Sequence, residues 1–267
     1  MISTGRARRL ARIQNQTTGR MAILPLDLVM PLGPVPGAAD QLPLIQMAGA
    51  VGVDAVILRW GEARRRAHEL SPDVGLIIRI SGAAQSGADG YEGLLHSVEA
   101  SLALGADGVC VDLRLGDPHE LRMMQSVAAV AESCDRLGVV CLVEAVPTGG
   151  AGNGDRQADT AWAARVAQEL GADIVKVPHP GGSAAMKAVA DQCQVPVIVA
   201  GGSRTELADL LRAVQAALEG GASGTAIGRN VITSADPAAV QRVILEMVHG
   251  DKPAQQALQE LLATIGT

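Results

Sequence analysis

The segment Gly-Ala-Asp-Ile-Val-Lys-Val at residues 171–177 is typical of a helix end that runs directly into a buried strand. Glycine accepts the left-handed conformation that stops a helix, and a short apolar run suits a parallel strand covered on both faces. The same order of residues recurs from Gly52, Gly105 and Gly221. Successive copies are separated by about two strand–helix units, so we expect a further strand between each pair.

Apolar runs occupy those intermediate positions. They begin at Gly75, Gly138 and Val195, and another run, Met-Ala-Ile-Leu-Pro-Leu-Asp from Met21, precedes the first pair. Stretches with helical apolar spacing separate the strands. Strict alternation of strand and helix predicts a parallel sheet, and eight repeats favour closure into a single (β/α)8 TIM barrel over an open doubly wound sheet.

All of residues 1–267 are assigned to this one barrel domain. The N-terminal segment 1–20 is expected to close the barrel bottom, and residues 236–265 are expected to form helices after the eighth strand. The glycine-rich segment 149–154 is too short for an interdomain linker and follows the fifth strand. We therefore predict that it is a loop on the active face of the barrel.

Composition argues against several classes of function. The formal net charge of −6 provides no basic field for a nucleic-acid backbone, and the absence of Phe, with one Tyr and two Trp, leaves no stacking platform for bases. No apolar stretch approaches the roughly 20 residues that span a bilayer, and no signal peptide is recognisable. We expect a cytoplasmic protein that acts on a small molecule, without nucleic-acid or membrane partners.

The sequence also gives no sign of a metal or redox centre. No cluster of His and carboxylates has metal-ligand spacing, so we expect neither a metal nor another cofactor. The cysteines are widely spaced in apolar surroundings and are predicted to be buried, reduced thiols. They are Cys110, Cys134, Cys141 and Cys193.

Lys176 is the strongest catalytic candidate, because the chain has only three lysines and this one interrupts a predicted buried strand. Active sites of such barrels lie at the carboxyl ends of the strands. Desolvation is expected to lower the pKa of the amine and make it a nucleophile towards carbonyl groups. An ion pair with Glu144 or Asp27 is the alternative. His179, three residues further along, is a candidate for contact with the substrate.

Two glycine-containing loops follow the seventh and eighth strands, where barrels often hold a phosphate. Backbone amides exposed by glycine, together with an arginine fork, suit a dianion. Ordinary tight turns are the alternative reading of the same glycines. The candidate ligands are Gly201, Gly202, Ser203, Gly228 and Arg229.

Asp27 and Glu144 each place a carboxylate in an apolar strand near the predicted mouth, where either could move protons beside the lysine. Asp27 could instead cap the following loop, and Glu144 could instead form a salt bridge to Lys176 or to an arginine. Asp112 and Arg114 are placed after the fourth strand and are expected to form a structural pair.

Five motifs together resemble the archaeal-type class I fructose-bisphosphate aldolases and their relatives, the aminodideoxyheptulosonate synthases and the autoinducer-processing aldolase-like thiolases. The resemblance covers nearly the whole chain. The motifs lie at Thr18–Asp27, Leu32–Gly37, Gly171–Lys176, Val195–Gly202 and Gly224–Asn230.

The resemblance implies that Lys176 forms a Schiff base and that Asp27 transfers protons. It also implies a homo-oligomer, often a pentamer or a decamer. The phosphate site that it implies consists of Gly201, Gly202, Gly228 and Arg229.

Two departures from the family pattern affect the acid and base. Leu28 follows Asp27 where the family has histidine, and the segment 146–149 reads Val-Pro-Thr-Gly where the family has Tyr-Pro-Arg-Gly with the usual tyrosine acid. The single tyrosine, Tyr91, is placed in a distant loop. Glu144 is the predicted substitute, because the more distant tagatose-bisphosphate and sulfosugar aldolases have a glutamate on this strand.

The family's Tyr-Pro-Arg-Gly segment also contains an arginine that this chain lacks. Its absence suggests that any second phosphate is absent or is held by Arg59 or Arg79. The favoured function is that of a class I aldolase or transaldolase, a carbon–carbon lyase of carbohydrate metabolism that acts on a phosphorylated ketose. One alternative is thiolase-like acyl transfer on a phosphorylated diketone. Another is a barrel that binds phosphometabolites without catalysis.

Overall fold

A computed structural model describes residues 3–82, 93–148 and 154–266. Within these ranges, eight parallel strands close into a barrel and two short strands form an antiparallel pair beside it. The strands are β1 Met21–Pro25, β2 Ala55–Arg59, β3 Gly75–Arg79, β4 Ser81–Gly82, β5 Gly93–Leu94, β6 Gly108–Leu115, β7 Val140–Pro147, β8 Ile174–Pro178, β9 Val197–Ala200 and β10 Gly224–Ala226.

The barrel order is β1-β10-β9-β8-β7-β6-β3-β2, and β4 pairs with β5. Helices cover the outside of the barrel, and a 3-10 turn spans Ala67–Glu69. The predicted (β/α)8 barrel is therefore confirmed. The helices are α1 Thr4–Ile13, α2 Val29–Leu32, α3 Leu42–Val51, α4 Trp60–Arg66, α5 Val98–Leu102, α6 Glu120–Leu137, α7 Arg156–Glu169, α8 Ser183–Asp191, α9 Leu207–Glu219, α10 Arg229–Ile232, α11 Pro237–Gly250 and α12 Ala254–Ile265.

The repeated glycine–aspartate motif has a structural role at the barrel bottom. Gly52, Gly105 and Gly171 follow α3, α5 and α7 with positive φ of 80°, 85° and 102°. The aspartates that begin the next strands then accept hydrogen bonds from neighbouring strand amides. Asp107 accepts from Leu76, and Asp173 accepts from Cys141 at 2.9 Å. Each of the three copies that contain aspartate thus follows the end of a helix and anchors the start of a neighbouring strand.

Two apolar layers result from the alternation of side chains along the strands. Ile57, Ile77 and Ile198 belong to a cluster inside the barrel, whereas Leu58 and Ile78 pack with the surrounding helices. Inward-facing positions therefore recur at every second residue. This periodicity decides which polar side chains reach the barrel interior.

Helix α1 lies across the bottom of the barrel. Ile13 at its end is fully buried and belongs to the inner cluster. Arg6 pairs with Asp173 at 3.2 Å, and Arg12 pairs with Asp107 at 2.9 Å. These contacts tie the helix to the same aspartates that fasten the strands.

Candidate active site

The polar residues at the barrel mouth continue the inward-facing rows of the strands. Arg79 lies two residues beyond Ile77, and Lys176 lies two residues beyond Ile174. Because side chains alternate, a polar residue at this spacing points into the barrel above the apolar layer. The other polar residues in these rows are Arg59, Asp112 and Glu144.

Arg79 organises the centre of the mouth. Its side chain is 5% exposed, and its three guanidinium nitrogens donate separately to Asp27, Asp112 and Glu144. Burial opposes the charge, but the surrounding acidic groups outweigh it and raise the pKa of Arg79 well above the usual value for arginine. Arg79 is thus a permanent cation that fixes three carboxylates, one through each of its nitrogens.

Lys176 reaches the same cluster from β8. Its buried Nζ donates to Glu144 Oε2 at 2.8 Å, and β7 and β8 place the two residues directly opposite each other. Glu144 Oε2 also accepts from Arg79. The lysine is therefore coupled through Glu144 to the whole carboxylate network.

The prediction that desolvation lowers the pKa of Lys176 is wrong for the unliganded protein. Burial is the largest single effect and lowers this pKa, but the nearby acidic groups, Glu144 first and then Asp27, together outweigh it and the net shift is upward. For Glu144, burial favours the neutral acid, yet attraction to Lys176 and Arg79 lowers its pKa to about 2. The pair rests as ammonium and carboxylate, so the expected salt bridges of Glu144 to lysine and arginine are both present.

Two further sequence interpretations need correction. Asp27 does not cap its loop, since its carboxylate is buried and binds Arg79. Asp112 lies within β6 and not after it, and its carboxylate binds Arg79 and accepts from Ser81 Oγ at 2.6 Å. The described partners of Asp112 thus place it in the central cluster, whereas a pair with Arg114 was expected.

The two predicted phosphate loops are joined by a residue whose role the sequence did not reveal. Asn230 is buried and donates from Nδ2 to the carbonyls of Gly201 at 2.9 Å and Ser203 at 3.1 Å. Its Oδ1 accepts from the amide of Thr205 at 2.9 Å. A buried asparagine at the start of the eighth loop therefore holds the seventh loop in place through three hydrogen bonds. Its position next to Arg229 was the available sequence signal.

Two glycines of these loops are required for different structural reasons, one for its backbone conformation and one for close packing. Gly202 has φ of +65°, a conformation that favours glycine, and the space around its missing Cβ is open. At Gly228 a Cβ would lie 2.5 Å from the carbonyl oxygen of Pro25, so this backbone packs tightly on β1. Across the described residues, Arg229 Nε is buried without a hydrogen-bond partner.

His179 is a structural residue by its contacts. Its Nδ1 accepts from the Gly181 amide at 3.2 Å, which leaves the proton on Nε2, and Nε2 donates to the Ala213 carbonyl at 3.0 Å. Burial lowers the pKa of this imidazole. Both ring nitrogens are used within the protein. The expectation of substrate contact through this ring therefore has no free donor or acceptor to support it.

Arg59 lies apart from the phosphate loops. Its guanidinium, on β2, donates to the backbone carbonyls of Asp27 and Ser81 and faces a cavity of about 620 Å³ beside the carboxylate cluster. Burial lowers its pKa from the usual arginine value. The expectation that Arg59 or Arg79 holds any second phosphate stays a prediction, and Arg59 has its guanidinium at this cavity.

Cys110 is fully buried, and burial raises the pKa of its thiol to about 12. Val146 lies on β7, where the family pattern has tyrosine. Tyr91 and residues 149–153 of the predicted active-face loop lie outside the described residues.

No helix in the described ranges is both long and apolar enough to cross a membrane. Residues 21–234 match the profile of the DeoC/LacD family aldolases. A 2-amino-4,5-dihydroxy-6-oxo-7-(phosphonooxy)heptanoate synthase of Streptomyces griseus is 36% identical over 247 residues, covering 91% of this chain and 90% of the relative. A 2-amino-3,7-dideoxy-D-threo-hept-6-ulosonate synthase of Halobacterium salinarum is 32% identical over 259 residues, covering 97% of both chains.

Solved structures give the same result. An archaeal fructose-1,6-bisphosphate aldolase, with its catalytic lysine covalently bound to the carbinolamine intermediate of the substrate, superposes with a TM-score of 0.85 at 28% identity. The match covers 92% of this chain and 100% of the aldolase. Fold, sequence and family profile agree over almost the full length, and the chain belongs to the DeoC/LacD family of aldolases.

Proposed function

We propose that this protein is a Schiff-base aldolase that makes or breaks a carbon–carbon bond in a phosphorylated ketose, and that Lys176 is its nucleophile. The observation that carries the proposal is a buried lysine amine at the barrel mouth, 2.8 Å from a carboxylate that can take its proton. An amine of this kind adds to a ketone carbon, and the resulting iminium withdraws electrons from the neighbouring carbon.

The first step needs a neutral amine. Glu144 Oε2 is the acceptor within hydrogen-bond reach of Nζ, so the proton passes from Lys176 to Glu144. The transfer removes the charges of Lys176 and Glu144 together, and with them the attraction between the two groups, which is one cause of each pKa shift. The amine then adds to the ketone to form a carbinolamine, and Glu144 returns the proton to the hydroxyl group that departs as water.

The iminium then acts as the electron sink. In the bond-forming direction, loss of a proton from the adjacent carbon gives an enamine, whose carbon attacks an aldehyde. The aldehyde oxygen becomes a hydroxyl group on taking a proton, and water releases the product from Lys176. Glu144 is the proposed carrier of these protons, and Asp27, whose carboxylate binds Arg79, is the second proposed proton-transfer residue.

The substrate class follows from the loops after β9 and β10. The name of the Streptomyces relative places a phosphonooxy group on the carbon next to a ketone. We propose that Gly201, Gly202, Ser203, Gly228 and Arg229 hold such a phosphate here. The fixed loop geometry and the unpartnered Arg229 Nε support this assignment.

The phosphate assignment is tested with Arg229→Ala. We expect this variant to reduce kcat/KM for dihydroxyacetone phosphate by about tenfold or more, since a hydrogen bond to a charged group contributes about 1.5–3 kcal/mol. Turnover of unphosphorylated dihydroxyacetone should hardly change. Steady-state aldol assays with both donors and one shared aldehyde make the comparison. Equal losses for the two donors would place the phosphate elsewhere.

Classification as a carbon–carbon lyase is part of the same proposal. Assembly into a homo-oligomer and a cytoplasmic location stay predictions of the sequence. Sedimentation equilibrium checks the first of these against the chain mass of 27.4 kDa.

A further inference from the structure

A large cavity adjoins the carboxylate cluster, and the described residues that line it do not include those of the phosphate loops. Its volume is about 620 Å³, and it lies between the segments that follow β1, β2 and β3. Asp27 and Arg79 form its boundary with the catalytic cluster. We call it the acceptor cavity. Most of its wall is apolar, including Met30, Val35, Ala38, Trp60 and Leu95.

One wall of the acceptor cavity is a fixed aromatic surface. The rings of Trp60 and His96 stack with centroids 4.9 Å apart and planes 16° from parallel. Trp60 Nε1 donates to the carbonyl of Ala100 at 3.4 Å, and Arg64 lies over the indole at 5.8 Å. These contacts hold the indole in place, so this part of the cavity wall is fixed and apolar.

Arg59 is the charge in this cavity that lacks a carboxylate partner. Its two hydrogen bonds go to backbone carbonyls, and over the described ranges it forms no ion pair. Arg79, by contrast, has every guanidinium nitrogen committed to an acidic side chain. A partly buried guanidinium without a carboxylate is suited to bind an anionic group of a ligand.

The position of the acceptor cavity fits the second reactant of an aldol reaction. The proposed phosphate loops follow β9 and β10, and Lys176 lies on β8. From Lys176 the network continues through Glu144 to Arg79, which borders the cavity. A donor held by its phosphate and attached to Lys176 would therefore form its new bond towards this side.

We propose that the acceptor cavity binds an aldehyde with an apolar, aromatic body and one carboxylate, and that the carboxylate pairs with Arg59. This inference rests on the proposed function and specifies its second substrate. Ligand pockets of about 300–1,000 Å³ enclose molecules much larger than a three-carbon sugar phosphate. The hydroxyl groups of a sugar would also meet a wall that is mostly apolar, at a cost in binding free energy.

Binding is tested first without any chemistry. Calorimetry with 4-ethylbenzoate, which has the ring and the carboxylate but no aldehyde, should detect binding to the wild-type protein. Val35→Trp fills the cavity and Arg59→Met removes the charge, so each should weaken binding by about tenfold or more. Leu262→Trp, at an exposed site on α12, is the matched control and should bind as the wild type does. Absence of binding, or equal binding by all four proteins, would overturn the proposal.

Turnover tests the same inference independently. With dihydroxyacetone phosphate as donor, 4-carboxyphenylacetaldehyde should exceed glyceraldehyde 3-phosphate in kcat/KM by about tenfold or more in the wild type, and Val35→Trp should abolish that preference. A preference for glyceraldehyde 3-phosphate would reject the acceptor assignment. Borohydride trapping of the donor alone is measured in parallel. Failure of trapping would reject the Schiff-base mechanism, whereas trapping with the wrong aldehyde preference rejects only the acceptor cavity.

Discussion

At the scale of single residues, the sequence predicts which polar side chains lie at the barrel mouth, but it does not predict how their contacts shift their pKa values. Lys176 and Glu144 are recognisable because each interrupts an apolar strand in an inward-facing row. The direction of the lysine's pKa shift could not be predicted, because it depends on whether the nearby acidic groups together outweigh the effect of burial. The central position of Arg79 was also missed, since three carboxylates converge on it from β6, from β7 and from the segment after β1.

Glu144→Gln tests the proposed proton carrier. The amide keeps the size of the side chain but cannot accept the proton of Lys176, so we expect kcat to fall by about 10²–10⁴ while the circular dichroism spectrum stays unchanged. Initial rates of aldol formation measure the effect. Asp112→Asn is the matched control, because Asp112 binds the same arginine but makes no contact with Lys176. A normal rate in Glu144→Gln would reduce Glu144 to a structural partner of Arg79.

At the scale of elements, the repeats in the sequence predicted all eight barrel strands and several of the intervening helices. Glycine stops and apolar runs are local signals, and they need no knowledge of distant contacts. The bracing of one loop by another is not local. Asn230 lies 29 residues from Gly201 along the chain, and the residues next to it in sequence do not indicate that its side chain hydrogen-bonds to the Gly201 carbonyl.

Asn230→Ala tests this bracing. Loss of three hydrogen bonds should loosen the loop after β9, and we expect KM for a phosphorylated donor to rise by about tenfold or more. The unphosphorylated donor should be little affected. Asn15→Ala is the control. The Asn15 side chain also holds a loop, by accepting from the amides of Thr17 and Thr18, but this loop follows α1 at the barrel bottom. Parallel changes with both donors would show that Asn230 supports the fold and not the phosphate site.

At the scale of the whole molecule, the barrel separates stability from chemistry. The bottom carries the aspartates of the repeated motif and helix α1, whereas the mouth carries the charged cluster. Burial of polar groups at the mouth is compensated by paired charges, since Arg79 and Lys176 face Asp27, Asp112 and Glu144. Substitutions at the bottom should therefore change stability while sparing the mechanism.

Ile13→Ala is the substitution that tests this separation. Ile13 is fully buried in the inner cluster, so truncation should reduce the free energy of unfolding by about 2–5 kcal/mol. Urea denaturation followed by circular dichroism measures the loss. Leu121→Ala, at a site 67% exposed, should stay within about 0.5 kcal/mol of the wild type. At a temperature where both variants are folded, their kcat values should match that of the wild type.

The measurement that tests the central claim most directly is mass spectrometry of the protein after borohydride reduction in the presence of dihydroxyacetone phosphate. Reduction converts an iminium into a stable secondary amine, so the adduct should appear on the peptide that contains Lys176. Lys176→Met should neither take up the adduct nor turn over substrate, whereas Lys187→Ala should do both, since Lys187 is an exposed lysine paired with Asp191. An adduct on another residue, or undiminished turnover in Lys176→Met, would contradict the Schiff-base assignment.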